Sequence, residues 1–343
     1  MDKSLKKLKV AIIGCGRISV MHLVSIDMLE GVELVACCDI VKEKADAVAK
    51  KYGCKAYYDY EEMLNTEKLD AVHVLLPHYL HSKVAVCAMK KGVNVLTEKP
   101  MDVNYEDAEN AVKTAKELGV LYGVIFQCRY NNSAKLVKNA VTSGKLGKII
   151  SARSTLTWKR DDEYYSGSNW KGTWDKEGGG VVIDQAIHSI DLVNWIIDSE
   201  IESLECSMVN RFHKIVQVED TAEGFIKYKN GTTYAFYCMN NYGTDEPIEI
   251  RLFCENGSVI FGYDDAYIRY NDGTVEEAHQ DENTVEYEGG KNYWGFQHER
   301  QISQFYKALR GEEPLDISGE EALKTHKLIC DIYKIGKKKM GVN

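Results

Sequence analysis

The sequence predicts an α/β N-terminal domain built on a parallel sheet, followed by an α+β domain with a large, mostly antiparallel sheet. Three observations carry that prediction. Over the first 130 residues, short apolar runs alternate with amphipathic stretches. Beyond that point strand-like runs follow one another directly, separated by turn signals such as Lys229-Asn230-Gly231, Glu255-Asn256-Gly257 and Asn271-Asp272-Gly273. The length of 343 residues suits two domains of ordinary size. The expected division is 1–128 and 129–343, with the C-terminal helices able to pack back on the first domain.

Leu8–Ile13 reads as the first strand and about residues 17–30 as a helix. Val32–Cys38 is a second strand and the charged Val41–Tyr52 a helix. Ala71–Leu76 and Val93–Thr97 read as strands, His81–Lys91 and Tyr105–Leu118 as helices, and Val120–Cys128 closes the series. Strands that are apolar along their length, alternating with helices, imply a parallel sheet covered on both faces. After a helix near Ser133–Ser143 comes the strand Lys148–Trp158, then a loop rich in Tyr, Trp, Ser and Gly, then a helix around Asp184–Ile197. Six strands follow: Ile201–Phe212, Ala222–Tyr228, Thr232–Met239, Ile248–Cys254, Ser258–Phe261 and Tyr267–Tyr270. Glu299–Leu309 and Gly319–Ile335 show helix-period apolar positions.

Composition narrows the function. Acidic residues outnumber basic ones, 52 to 43, for a net charge of −9, which disfavours general nucleic-acid binding. No apolar stretch approaches the length of a membrane span. Lys3, Lys6, Lys7 and Lys9 precede the apolar run Val10–Ile13, but Gly14 interrupts it at once, so the start reads as a basic tail entering a buried strand. The ten cysteines are scattered, with no C-x-x-C pair and no zinc spacing; they read as buried thiols of a cytoplasmic protein with no metal site.

Gly14-Cys15-Gly16-Arg17-Ile18-Ser19 follows the first strand and opens a helix. The first glycine suits a tight turn, the second the approach of a pyrophosphate to the helix N-terminus, and Ser19 is small enough to keep helix and sheet close. Asp39, at the end of the second strand and 23 residues beyond Gly16, suits the ribose hydroxyls. The combination predicts NAD binding; Lys42 and Lys44 close by leave NADP open. Glu98-Lys99-Pro100 ends a parallel strand, where open α/β sheets place ligands, and a lysine there suits a reacting oxygen. In Gly178-Gly179-Gly180-Val181-Val182-Ile183-Asp184-Gln185-Ala186-Ile187-His188, Asp184 and His188 are four apart, on one expected helix face. A histidine beside a carboxylate suits a general base, and the glycines let the backbone approach something, the nicotinamide being one candidate. Asp191 equally suits pairing with a cation.

Together with Leu76-Pro77-His78-Tyr79-Leu80-His81 and Arg129-Tyr130-Asn131, these segments resemble the Gfo/Idh/MocA oxidoreductases from about residue 8 to about residue 335. The resemblance implies a Rossmann domain, a second domain whose sheet often forms the oligomer interface, and an active site between them. It implies catalysis by Lys99, Asp184 and His188. Cofactor contacts would come from Gly14, Gly16, Arg17, Ile18 and Asp39, and from Pro77, His81, Glu98 and Lys99. Substrate contacts would come from Arg129, Tyr165 and Trp170, with Asp184 and His188; aromatic faces beside polar groups suit sugars. Two departures stand out: Ser19 replaces the third small residue, and His78 stands where Asn is more usual. Asp184, which some relatives replace with asparagine, favours the dehydrogenase type.

The resulting expectation is a dehydrogenase that oxidises a secondary hydroxyl of a sugar, glycoside, sugar derivative or cyclic polyol by hydride transfer to nicotinamide. The same residues fit a reductase or a bound cofactor cycling on a keto-sugar, and a non-catalytic NAD-binding sensor is the alternative from another class. A homodimer or homotetramer is expected through the apolar outer face of the second sheet.

Overall fold

The computed structural model describes residues 7–280 and 297–342. They form two compact units, 7–127 with 297–323 and 128–280 with 324–342. The first division thus falls at Gln127/Cys128, and part of the C-terminal region belongs to the first unit.

The first unit opens with β1 (Leu8–Ile13), α1 (Ser19–Asp27), β2 (Val32–Cys38) and α2 (Lys42–Tyr52). Then come β3 (Lys55–Tyr57), α3 (Tyr60–Thr66), β4 (Ala71–Val74), α4 (His81–Met89), β5 (Asn94–Thr97), α5 (Tyr105–Leu118) and β6 (Tyr122–Val124). All strands are parallel, in the order β3-β2-β1-β4-β5-β6. β1 is central, and its Val10, Ala11 and Ile12 are fully buried, which explains its apolar composition. The chain runs outward from β1 to β3 and returns to β4, so the β1/β4 edge is the switch point at which such sheets bind ligands.

Two short elements of the first unit, like α7 (Asp162–Ser166) and β14 (Val275–Ala278) of the second, escape the sequence reading. β3 has three residues, too few to display a period. α3 has seven, and its start is fixed by Asp59, which accepts hydrogen bonds from the amides of Glu61 and Glu62 at 2.7 and 2.9 Å. The expected strand Val120–Cys128 shortens to β6 because Phe126 N donates to the side chain of Gln301 (2.9 Å), and a 3₁₀ turn follows at Gln127–Tyr130.

The second unit contains α6 (Asn132–Thr142), β7 (Ile149–Thr157), α7 (Asp162–Ser166) and α8 (Ile187–Ile197). Its strands continue as β8 (Ile201–Val209), β9 (Thr221–Tyr228), β10 (Thr233–Met239), β11 (Glu249–Cys254), β12 (Gly257–Phe261), β13 (Ala266–Tyr270) and β14 (Val275–Ala278). They form one sheet, β14-β13-β12-β11-β7-β10-β9-β8, antiparallel except for β7 beside β10. Tyr234, Phe236 and Cys238 point into the core, whereas Phe225, Tyr237, Phe253, Ile260 and Tyr267 stand exposed on the other face.

The chain then supplies α9 (His298–Leu309) to the first unit, where Ile302, Phe305 and Tyr306 join the core of Val10, Ile12, Leu23 and Ile26. α10 (Gly319–Met340) begins in the first unit and continues in the second. Among the described residues no helix is long and apolar enough to cross a membrane. None of the ten cysteines is joined in a disulfide.

Candidate active site

The turn after β1 is built for backbone proximity. Gly14 has φ +101°, and a Cβ there would lie 2.2 Å from the carbonyl oxygen of Leu75. Only glycine meets both demands. A Cβ on Gly16 would meet nothing within 4 Å. Gly16 thus borders open space at the start of α1, whose N-cap Ile18 has no side-chain hydrogen bond to offer its first amides. Ser19 Oγ donates to Gly16 O at 2.6 Å and keeps the helix close to the turn. Asp39 accepts from Cys15 N at 2.9 Å and from Val41 N at 2.8 Å, one bond on each oxygen. A carboxylate offers about four acceptor positions, so two remain for a diol. This cradle fits a dinucleotide: a small-residue turn, a helix start without a side-chain cap and an oriented acid. Arg17 is exposed and Ile18 half-buried beside it.

At the end of β5, Lys99 is half-buried and Glu98 is buried. The Glu98 carboxylate turns inward: Oε1 lies 3.2 Å from Nε2 of both His22 and His298, and Oε2 accepts from Lys99 N at 3.2 Å. The side chains of Glu98, His22 and His298 are also the one group among the described residues close enough together to share a metal ion, and the same atoms meet one another at hydrogen-bond distance. His81 bridges the two strand-end loops. Its Nδ1 lies 2.6 Å from Pro100 O and its Nε2 2.6 Å from Leu76 O. Burial pulls the His81 pKa down, against the pull of both carbonyls. His81 therefore holds the Pro77 segment against the Lys99 segment from inside.

In the second unit, the chain enters α8 through a π-helical turn, Val182–Ala186, instead of the regular helix expected. Asp184 lies in the wide turn and His188, itself buried, in the first turn of α8. Such turns are rare and concentrate at functional sites. Its opening amides are satisfied from elsewhere in the unit. Glu219 accepts from Gly180 N (2.9 Å) and Val182 N (3.1 Å), and Tyr333 OH accepts from Ile183 N (3.1 Å) while donating to Glu219 (2.7 Å). Burial raises the Glu219 pKa, and these donors oppose it. The triple glycine serves this packing. A Cβ on Gly179 would sit 2.0 Å from Tyr333 OH, and one on Gly180 1.9 Å from Glu219 O. Gly179 and Gly180 therefore lie against Tyr333 and the Glu219 backbone.

Comparison with known proteins matches both units. An oxidoreductase family with an NAD-binding Rossmann fold covers residues 8–126, and the GFO/IDH/MocA C-terminal domain covers residues 134–260. The chain belongs to the Gfo/Idh/MocA oxidoreductase family. It is 25% identical over 335 residues to the myo-inositol 2-dehydrogenase of Thermotoga maritima, covering 92% of each. It is 30% identical to the D-glucoside 3-dehydrogenase of Escherichia coli, over 65% of this chain and 68% of the relative. The crystal structure of the WlbA dehydrogenase from Bordetella pertussis, in complex with NADH and UDP-GlcNAcA, superimposes with a TM-score of 0.84 at 27% identity over 97% of each chain.

With the family in hand, the surroundings of Asp184 refine the substrate-side residues. Three donors converge on Asp184 Oδ2: Tyr164 OH, Lys171 Nζ at 2.9 Å and Gln185 Nε2 at 2.6 Å. Lys171 also donates to Tyr164 OH. Burial opposes the charge of Lys171, but Asp184, Tyr164 and Glu177 together raise its pKa, so it stays an ammonium. Burial raises the Glu177 carboxyl to about 8 against the pull of Lys171, 3.8 Å away. The sequence reading singles out Tyr165 and Trp170, each one residue from those that touch Asp184. Tyr165 is buried, and its OH accepts from Asn240 Nδ2 (2.7 Å), which also donates to Gln185 Oε1 (3.1 Å). Trp170 lies half-buried beneath the Lys171 ammonium, 5.0 Å from its ring centre. Arg129 is buried in a two-pronged ion pair with Asp191 (2.8 and 2.6 Å), which Thr325 Oγ1 also caps (2.7 Å). The cation suited to Asp191 is thus Arg129, which gives that carboxylate two of its five N–H donors.

Proposed function

We propose that this enzyme oxidises a secondary hydroxyl of a sugar, sugar derivative, glycoside or cyclic polyol, with NAD as the electron acceptor. NAD, when bound, supplies the two-electron acceptor at its nicotinamide ring. His188 takes the hydroxyl proton as general base. Lys99 donates a hydrogen bond to the same oxygen and stabilises its growing negative charge. Asp184, held by hydrogen bonds from Tyr164, Lys171 and Gln185, orients the base. The observation that carries this reading is the triply bonded Asp184 on the segment that leads into His188. The two acceptor positions left on the Asp39 carboxylate favour the unphosphorylated ribose of NAD.

The test is NADH formation across a panel of inositols, free sugars, glycosides and nucleotide sugars. The inositols and glycosides reflect the inositol and glucoside dehydrogenases among the relatives, and the nucleotide sugars the WlbA ligand. With the best substrate, His188→Ala lowers turnover about 10²–10⁴-fold while NADH binding persists. Turnover by His188→Ala equal to the parent's removes His188 from the reaction.

The protein works as a homodimer or homotetramer through the outer face of the second sheet. Support comes from the register, which lines up Tyr267 with Ile260 and Ala235 with Phe225 on one surface, with Arg251 and Arg153 between. Exposed apolar patches of this kind mark contacts between chains. Light scattering that gives the monomer mass at micromolar concentration overturns this. Ten cysteines without a disulfide fit a reducing cytoplasm.

A further inference from the structure

Behind Lys99, the first unit buries a chain of polar side chains that no catalytic step uses. Tyr306 OH lies 2.8 Å from His73 Nε2, and His73 Nδ1 lies 2.8 Å from His22 Nδ1. His22 Nε2 lies 3.2 Å from Glu98 Oε1, which His298 Nε2 also reaches at 3.2 Å. His22 and His73 are fully buried, and His298 nearly so. These groups come from α1, β4, the end of β5 and α9, so the chain ties the helix beneath the cofactor turn to the strand that carries Lys99.

The direction of every hydrogen bond follows from its end. An ionised carboxylate only accepts, so His22 Nε2 carries a hydrogen. Neutral His22 then accepts at Nδ1, His73 donates from Nδ1 and accepts at Nε2, and Tyr306 donates. The chain runs one way, Tyr306 to His73 to His22 to Glu98, with His298 as a second donor. Glu98 Oε2 is left to accept the Lys99 amide.

We propose that Glu98, gripped by His22 and His298, is a positioning residue that fixes the Lys99 backbone and so the placement of its ammonium for the reaction. This rests on the catalytic reading of Lys99 given above. The charge pattern agrees. Burial pushes the Glu98 carboxyl up, but hydrogen bonds from His22 and His298 outweigh it and hold it well below the usual range. Burial holds His22 and His73 down, as the neutral chain requires. The arrangement confines Glu98 from two sides by rings locked in the core, which a single flexible donor would not do. Misplacing a reacting group by about 1 Å costs about 10²-fold in rate, so the grip matters for turnover more than for binding.

Three readouts on the full-length protein test this. In the parent, ¹⁵N-histidine spectra, with His22 assigned by its loss in His22→Gln, show His22 as the neutral Nε2–H tautomer. An imidazolium or an Nδ1–H tautomer overturns the proposal, as does one equivalent of bound zinc by mass spectrometry, since a metal would replace the required N–H donors. In kinetics, His298→Leu lowers kcat about 10–100-fold with KM and NADH affinity little changed, and His298→Gln, which keeps a donor, restores most of it. The double variant His298→Leu/Lys99→Met is no slower than Lys99→Met alone. Normal kcat in His298→Leu, or additive losses in the double variant, overturns the positioning role while leaving the catalytic reading of Lys99 standing. Normal turnover in Lys99→Met overturns that reading, and the positioning role with it.

Discussion

The two glycines of the β1–α1 turn should respond to the same substitution in opposite ways. Gly14→Ala places a methyl group 2.2 Å from Leu75 O on a backbone at φ +101°. The left-handed backbone costs an L-residue about 1–2 kcal/mol, and forcing extra volume into a packed site costs about 1–3 kcal/mol. Their sum, about 2–5 kcal/mol, corresponds to a fall in Tm of about 4–20 °C for a unit of this size. Gly16→Ala meets nothing within 4 Å, so its Tm should stay near the parent's. Its methyl group instead occupies the space through which the pyrophosphate reaches the α1 amides. Losing one charge-assisted hydrogen bond of about 1.5–3 kcal/mol weakens NADH binding about 10–100-fold. Scanning fluorimetry without ligand reads the first effect, and NADH fluorescence titration reads the second. A Gly14→Ala protein as stable as the parent, or a Gly16→Ala protein with unchanged NADH affinity, would refute the division of labour.

Three further outcomes follow from the same structure. Lys171→Met removes the ammonium 2.9 Å from Asp184 Oδ2, and the loss of one charged hydrogen bond should lower kcat/KM about 10–100-fold; steady-state kinetics with unchanged kcat/KM contradicts the role given to Lys171. Glu177, raised from 4.5 to about 8, holds a proton in the folded state that the unfolded chain releases, so its contribution makes stability fall as pH rises between those values. Glu177→Gln should lose that slope and become more stable than the parent at the alkaline end; parallel Tm profiles from pH 5 to 8.5 would show the assignment to be wrong. Asp39→Ala deprives the amides of Cys15 and Val41 of their acceptor and should weaken NAD while relaxing discrimination against NADP. Titration of both cofactors checks it, and a parent that prefers NADP contradicts the reading of Asp39.

What the sequence made legible was what local chemistry determines. The Gly14–Gly16 turn follows from φ and close approach, β1 from its apolar run, and Tyr105–Leu118 from a helix period ended by Gly119 at φ +66°. The residues around Asp184 were harder because adjacent side chains point opposite ways. Tyr164 reaches Asp184 while Tyr165 packs edge-on against His213 and bonds Asn240, and that choice depends on residues 48 and 75 positions away in sequence. Glu219 carries no motif, and its value comes from meeting Gly180 and Val182 across 39 and 37 residues. The π-helical turn left no mark on the apolar pattern, because Val182, Ile183 and Ala186 are buried as they would be in a regular helix. His298 met Glu98 across 200 residues, a pairing that periodicity cannot express.

α9 completes the core of the first unit from near the end of the chain, and this sets a schedule for synthesis. When residue 127 leaves the ribosome, Leu23 and Ile26 still lack Ile302, Phe305 and Tyr306. At about 5–20 residues per second, the roughly 170 residues that intervene take on the order of 10–35 seconds to emerge. Throughout that interval the nascent nucleotide-binding half shows an uncovered apolar side, of the sort that chaperones bind. The intervening β-rich half waits longer still, because Tyr333, which holds Glu219 and Ile183, belongs to its final segment 324–342. Expression plasmids that stop after β6 would therefore yield a fragment with a permanent sticky surface instead of a miniature cofactor-binding protein.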